Sequence, residues 1–301
     1  PQPLFKAQGP GGTVQPITVR PEVMYHPKSH GLMVCFGTGK YLGDADLSDT
    51  SVQSIYGLWD YGDKVYDLRA QQWTQDDDRE FLGTFTSRST APRLSNQPAK
   101  VSLLQQRQAV FTVKTGGYEH RLRFLSATQP VWASVPDPDN ASTQSPDPDS
   151  SIDTHVGYYI DLDPGERVIS DSIIRNSLLL AVGFTPNSDR CGPGGNSIFM
   201  EINAFTGGSA GSSLFDITGD LAVDAKDLAR VDFNQDGTPE DIAPSGIELF
   251  GNVQPPAILR LPGGGDPPME KKYLSSSTGT IEQIHEKGPR LGVTYWMEIH
   301  Y

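Results

Sequence analysis

Asp232-Phe233-Asn234-Gln235-Asp236-Gly237-Thr238-Pro239-Glu240-Asp241 carries the clearest chemistry in the chain. Side-chain oxygens stand at Asp232, Asn234 and Asp236, so alternate residues can aim them at one hard cation. Gly237 then supplies the sharp turn that points them inward. Thr238 follows with a backbone carbonyl, and either Glu240 or Asp241 closes the set. A full EF-hand loop needs a bidentate Glu at its twelfth position, where this chain has Ala243. The expectation is therefore a shorter calcium loop of the kind that pins a turn. An Asx-rich surface turn that binds nothing is the plainer alternative. The alternating oxygens plus the glycine favour calcium over it.

Other candidate chemistry is weaker. Gly37-Thr38-Gly39-Lys40 looks like part of a phosphate loop, but the spacing of that motif is absent and no helical pattern follows. His26 and His30 are four apart, yet Pro flanks them, which argues against one helix face presenting both to a metal. No acid, base and nucleophile converge in any one motif, so the chain reads as a non-enzyme. Tyr56, Trp59, Tyr158, Tyr159 and Trp296 could stack into a ligand platform, but core packing is the more ordinary role for such residues.

These candidates must be positioned by β-structure. Short apolar or alternating runs recur with Gly, Pro, Asn and Asp between them, the signature of an all-β chain. They include Gly31 to Phe36, Ser54 to Asp60, Gly157 to Leu162, Arg167 to Ser170, Leu178 to Phe184, Ser197 to Asn203 and Leu291 to Ile299. Val110 to Val113 runs through Gly116-Gly117 into Glu119 to Phe124, which predicts a hairpin. The spacing predicts a sheet meander and hence a propeller or sandwich. Gln75 to Phe81 is the most helix-like stretch, with Asp76 to Asp78 as a solvated cap or turn. Residues 136–151 are acidic and Pro-rich and read as an exposed linker, with a sequon at Asn140-Ala141-Ser142. The resulting division is an extended segment over 1–30 and a propeller region over 31–301, interrupted by the linker and by the loop at 232–241.

The 301 residues carry a formal net charge of −13, with 31 Gly and 24 Pro. An acidic surface of this kind repels nucleic-acid phosphates and anionic lipid, and favours cations. No apolar run approaches a membrane span, and a start at Pro1 reads as a mature product or a fragment. Cys35 lies in an apolar run and reads as a buried thiol, with a disulfide to Cys191 as the alternative in an oxidising compartment.

Several segments together resemble the C-terminal β-propeller of PilC/PilY-type pilus-tip proteins. They are Phe36 to Leu42, Gln53 to Asp60, Gly165 to Asp171, Asp189 to Gly195, and Asp232 to Asp241 leading to Ser245-Gly246-Ile247. Trp296-Met297-Glu298-Ile299 is similar to the family's closing strand, with Met297 where Arg is usual. Arg190 precedes Cys191 where Pro is common, and Glu240 stands where the family more often has Asp. The resemblance covers about residues 31–301 and implies a modified propeller on a calcium-dependent bacterial surface protein. It further implies a role in type IV pilus assembly, retraction control and adhesion, with pilins or minor pilins and a host or surface ligand as partners. A structural filament subunit and a quinoprotein-dehydrogenase-like propeller enzyme are the competing readings. The strands suffice for four or five blades, which predicts a partial ring completed by the upstream precursor or a neighbouring copy, with Thr294 to Ile299 pairing at the closure.

Overall fold

A computed structural model describes residues 4–28, 30–61, 64–67, 72–75, 101–132, 154–187, 194–261 and 268–288. The linker at 136–151, Cys191, the Asp76 to Phe81 stretch and the 291–299 strand lie outside the described residues.

The described chain is built mainly from strands, with a long connection over residues 204–228 between two of them. The first five are β1 (Glu22–Tyr25), β2 (Leu32–Gly37), β3 (Ser54–Asp60), β4 (Lys64–Asp67) and β5 (Gln72–Gln75). Then come β6 (Val101–Gln106), β7 (Gln108–Thr115), β8 (Tyr118–Leu125), β9 (Thr154–Asp161), β10 (Arg167–Val168) and β11 (Ile173–Arg175). Next are β12 (Leu178–Pro186), β13 (Gly195–Asn203), β14 (Ala229–Val231), β15 (Glu240–Ile242) and β16 (Gly246–Phe250). The last three are β17 (Ala257–Arg260), β18 (Met269–Ser275) and β19 (Ile281–Lys287). The hairpin expected around Gly116-Gly117 is β7–β8, in register from Gln108 opposite Leu125 to Thr115 opposite Tyr118.

The strands form a modified β-propeller, and among the described residues no sheet closes on itself. A five-stranded sheet runs β1-β2-β3-β9-β6, and a seven-stranded sheet runs β10-β12-β13-β16-β8-β7 with β11 also on β12. A three-stranded sheet runs β17-β18-β19, and β14-β15 and β4-β5 are two-stranded. A plain meander is not what forms. Strand β3 pairs with the distant β9, and β6 joins β9 in parallel. Gly57 permits the β3–β9 join, because a Cβ there would lie 2.2 Å from the Tyr158 ring. Strand β16 likewise reaches back to β8.

The long apolar run of β12 has a simple cause. Leu179 and Ala181 pack with Cys35, Ile55 and Ile160 in a core between the five- and seven-stranded sheets. Leu180 and Val182 pack on the other face with Phe199, Leu274 and Ile284, between the seven- and three-stranded sheets. A strand buried on both faces reads as continuous rather than alternating. A third, aromatic core gathers Tyr56, Trp59, Tyr158, Tyr159 and Phe205. Trp59 and Tyr158 are fully buried there, so these aromatics pack the core. Cys35 is a free buried thiol whose Sγ donates to the Ala204 carbonyl at 3.5 Å, and burial pushes its pKa up to about 12.

Three of the segments that carry the family resemblance, Phe36 to Leu42, Gln53 to Asp60 and Gly165 to Asp171, touch one another. A Cβ on Gly37 would lie 2.4 Å from Val168 Cβ, and one on Gly39 would lie 2.4 Å from Arg167 Cβ. Val168 N–H donates to the Thr38 carbonyl at 2.9 Å, and Ser54 N–H donates to Thr38 Oγ1 at 2.8 Å. Arg167, buried, donates to the carbonyls of Lys40 at 3.1 Å, Asp46 at 2.7 Å and Asp49 at 2.7 Å. The glycines of Gly37-Thr38-Gly39-Lys40 are thus explained by close packing on β10, with no phosphate needed.

Candidate calcium loop

Strands β14 and β15 hold the loop at 232–239. Their register sets Ala229 opposite Ile242 and Val231 opposite Glu240. Ala229 and Val231 are buried in the core beneath the three-stranded sheet, which anchors the hairpin. Phe233 adds a second anchor under Arg107, whose guanidinium carbon lies 5.8 Å from the ring centroid.

Within the loop the chain takes left-handed backbone at Gln235 (φ 60°) and Gly237 (φ 87°). A Cβ on Gly237 would meet nothing, so its backbone conformation, not crowding, calls for glycine. The turn gathers the three alternating side chains. Asp232 Oδ1 accepts from Asp236 N–H at 3.1 Å, and its Oδ2 accepts from Gly237 N–H at 3.0 Å. Asn234 Oδ1 accepts from Asp236 N–H at 3.2 Å, and its Nδ2 donates to Asp236 Oδ2 at 2.9 Å. Asp236 Oδ1 accepts from Thr238 N–H at 2.7 Å. Asp232, Asn234 and Asp236 therefore stand together, and the loop residues are exposed enough for a cation to reach them.

The closing ligand is a separate matter. Asp241 faces Arg230 across the hairpin, with Nη1 3.6 Å from Oδ1. Glu240 lies opposite Val231, next to Asp232 in the chain. Among the described residues no three His, Cys, Asp or Glu side chains are grouped closely enough to hold a metal. The donor set gathered here is two carboxylates and one amide oxygen, with Glu240 nearer than Asp241 to being free to complete it. The oxygen chemistry fits calcium, which takes carboxylate, amide and backbone oxygens alike.

A neighbouring acidic turn provides a contrast that sequence reading missed. Asp227, buried, accepts from Ile217 N–H at 2.9 Å and Asp224 N–H at 2.9 Å. Lys226 Nζ lies 3.2 Å from Asp220 and 3.6 Å from Asp224, so the chain's own ammonium supplies the positive charge there. The paired histidines are also resolved. His26 and His30 flank Trp59, with ring centroids 4.7 and 5.7 Å from it, and serve the aromatic core.

Comparison with known proteins follows the same lines. Residues 1–77 match the family model described as the PilY1 beta-propeller domain. The type IV pilus biogenesis factor PilY1 of Pseudomonas aeruginosa strain PAO1 is 30% identical over 259 residues, 83% of this chain and 18% of the relative. A PilY1 homolog of Xylella fastidiosa strain Temecula1 is 28% identical over 222 residues, 71% of this chain and 14% of the relative. The chain thus spans less than a fifth of the length of these curated relatives. The crystal structure of the Pseudomonas aeruginosa PilY1 C-terminal domain superposes with a TM-score of 0.61 at 24% identity, covering 96% of this chain and 49% of that one.

Proposed function

The chain belongs to the PilC/PilY family, in the region of its C-terminal β-propeller, and on that footing we propose that it serves type IV pilus biogenesis at the bacterial cell surface. The observation that carries this is the match over 83% of the chain to a protein named for that role. In this reading the propeller is an interaction module and not an enzyme. Its partners are pilins or minor pilins, and it supports pilus assembly, retraction control and adhesion to a host or surface ligand.

The loop is the calcium site of this module. Asp232, Asn234 and Asp236 supply side-chain oxygens, Thr238 supplies its carbonyl, and Glu240 or Asp241 closes the set. A carboxylate has acceptor sites left for calcium beside the N–H bonds that hold the loop, so the metal and the turn support each other. Calorimetric titration of the chain with calcium should show saturable binding. Asp232→Ala combined with Asp236→Ala should abolish the heat, and an unchanged isotherm in that double variant rejects the site. Calcium at about a hundred times its Kd should add about 2.7 kcal/mol of stability, read as a raised melting temperature. In the full-length protein the same pair of substitutions should alter surface pilus number at unchanged protein level. Unaltered piliation would detach calcium from the pilus role.

The open sheets support completion by another segment or copy. Among the described residues β1 is an edge strand with no strand on its outer side, and it leaves Val23 57% and Tyr25 84% exposed. Sedimentation of the isolated chain should reveal self-association, weakened when Thr294 to Tyr301 is deleted. A cooperative monomer whose assembly ignores that deletion would show that the fold needs no partner.

A further inference from the structure

Arg107 joins β6 to β7 and is exposed. Its backbone is pinned twice to Ser126, which follows β8. Arg107 N–H donates to Ser126 Oγ at 2.9 Å, and Ser126 N–H donates to the Arg107 carbonyl at 2.9 Å. The Ser126 hydroxyl donates to Gln106 Oε1 at 2.5 Å. Gln106 Nε2 in turn donates to the carbonyls of Thr128 at 2.7 Å and Thr206 at 2.8 Å. Gln106 and Ser126 are both buried. The backbone that carries Arg107 is therefore fixed in advance, so a ligand bound there would have little of it left to order.

The guanidinium lies over Phe233, 5.8 Å from the ring centroid. Among the described residues no carboxylate pairs with it, whereas Arg121, Arg123, Arg175 and Arg230 each have one. That is notable in a chain of net charge −13, where acids are plentiful. Arginine stacks on aromatic faces and offers its planar N–H fork to a carboxylate. Arg107 and Phe233 line a cavity of about 620 Å³, together with Leu125, Leu228 and Ile242. Asp241 lines it too, but Arg230 already faces that carboxylate at 3.6 Å. The charge left over in the groove is that of Arg107. One free cation beside an apolar wall is the polar-anchor pattern of a ligand site.

We propose that this groove binds a carboxylate on a short apolar arm. The carboxylate accepts from the Arg107 fork, and the arm lies against Leu125, Leu228 and Ile242 beside the Phe233 ring. A polypeptide C-terminus ending in an apolar residue and a free short-chain acid share this chemistry. The groove borders the calcium loop, because Phe233 sits between Asp232 and Asn234. Arg107, Leu125, Leu228 and Ile242 are not candidate calcium ligands, so the proposal stands apart from the calcium reading.

Calorimetric titration with 4-methylpentanoate, against 4-methylpentanamide as its neutral counterpart, tests the assignment. Metal-free buffer prevents the acid from binding through calcium instead. The acid should bind saturably and at least about tenfold more tightly than the amide. Arg107→Gln should abolish that preference, and its exposed position leaves the fold intact. Lys114→Gln removes an equal charge at an exposed position outside the groove and should keep the preference. Thr128→Trp, at an exposed position in the groove lining, should weaken both probes. Acetyl-Gly-Ser-Leu with a free C-terminus separates the two sources. Binding tighter than that of 4-methylpentanoate marks a chain terminus as the ligand, and weaker binding marks a free acid. The proposal is overturned by equal binding of acid and amide, by a preference that survives Arg107→Gln or is lost in Lys114→Gln, by undiminished binding in Thr128→Trp, or by no saturable heat from either acid. Any of these leaves Arg107 to its stack on Phe233.

Discussion

Glu166→Ala should destabilise the chain by about 3–5 kcal/mol, because it strands a buried guanidinium. Arg123 is completely buried and donates to Glu166 from both terminal nitrogens, Nη1 to Oε1 at 2.7 Å and Nη2 to Oε2 at 2.5 Å. Asp163 is its other carboxylate, but it lies 3.4 Å away and is 47% exposed, so it cannot compensate alone. Arg123 cannot escape by losing its proton, since Arg stays charged in proteins. Gly183 leaves room for the pair, because a Cβ there would fall 1.9 Å from Glu166 Oε1. Urea denaturation should therefore show a large fall in midpoint for Glu166→Ala. Arg123→Met with Glu166→Leu should recover most of it, since an apolar pair of similar volume avoids the desolvation cost. A loss under about 1 kcal/mol in the single variant would mean that water or Asp163 reaches Arg123.

This pair shows what the sequence made legible and what it hid. Gly165-Glu166-Arg167-Val168 was recognisable as a family segment, but its reason is tertiary. Glu166 reaches Arg123 on β8, and Arg167 collects carbonyls from the 40–49 loop. Local spacing carries no trace of either partner. Strand positions fared better because alternation and turn residues are local properties. The β7–β8 hairpin and the two-sided burial of β12 both follow from short-range pattern. Strand order did not follow, since β3 with β9 and β8 with β16 join segments far apart in the chain. In the loop, Asp232, Asn234, Asp236 and Gly237 were readable for the same reason that hairpins are. The buried charges of β18 left only a faint signal, with Glu270, Lys272 and Leu274 at alternate positions of one buried face. Nothing short-range distinguishes that face from a solvated one.

His26 supplies the largest expected acid sensitivity. It is buried, stacked on Trp59 at 4.7 Å and edge-on to Trp132 at 4.7 Å and Phe205 at 4.9 Å. Its Nδ1 accepts from Lys28 N–H at 3.4 Å, and its Nε2 has no hydrogen-bond partner among the described residues. Burial first, then the charges of His30 and Lys28, lower its pKa from 6.5 to about 4. Between those values the unfolded chain takes up a proton that the folded chain refuses. Stability is therefore greatest above about pH 6.5 and falls as pH drops, with the whole loss in place below about 4. The shift corresponds to about 2–4 kcal/mol. Glu286 acts in the opposite sense over part of the range. Its raised pKa, about 7, makes the folded state the better proton binder above its ordinary value, so its contribution grows as pH falls. The two are separated by comparing the wild type with His26→Phe, which keeps an aromatic ring in the stack and removes the titrating nitrogens. Glu286 is common to both chains and cancels in the difference. Urea midpoints at about pH 7.5, 6 and 5 should show His26→Phe losing ground to the wild type at the highest pH and gaining on it at the lowest. Parallel curves would mean that His26 takes up its proton without disturbing the Trp59 stack.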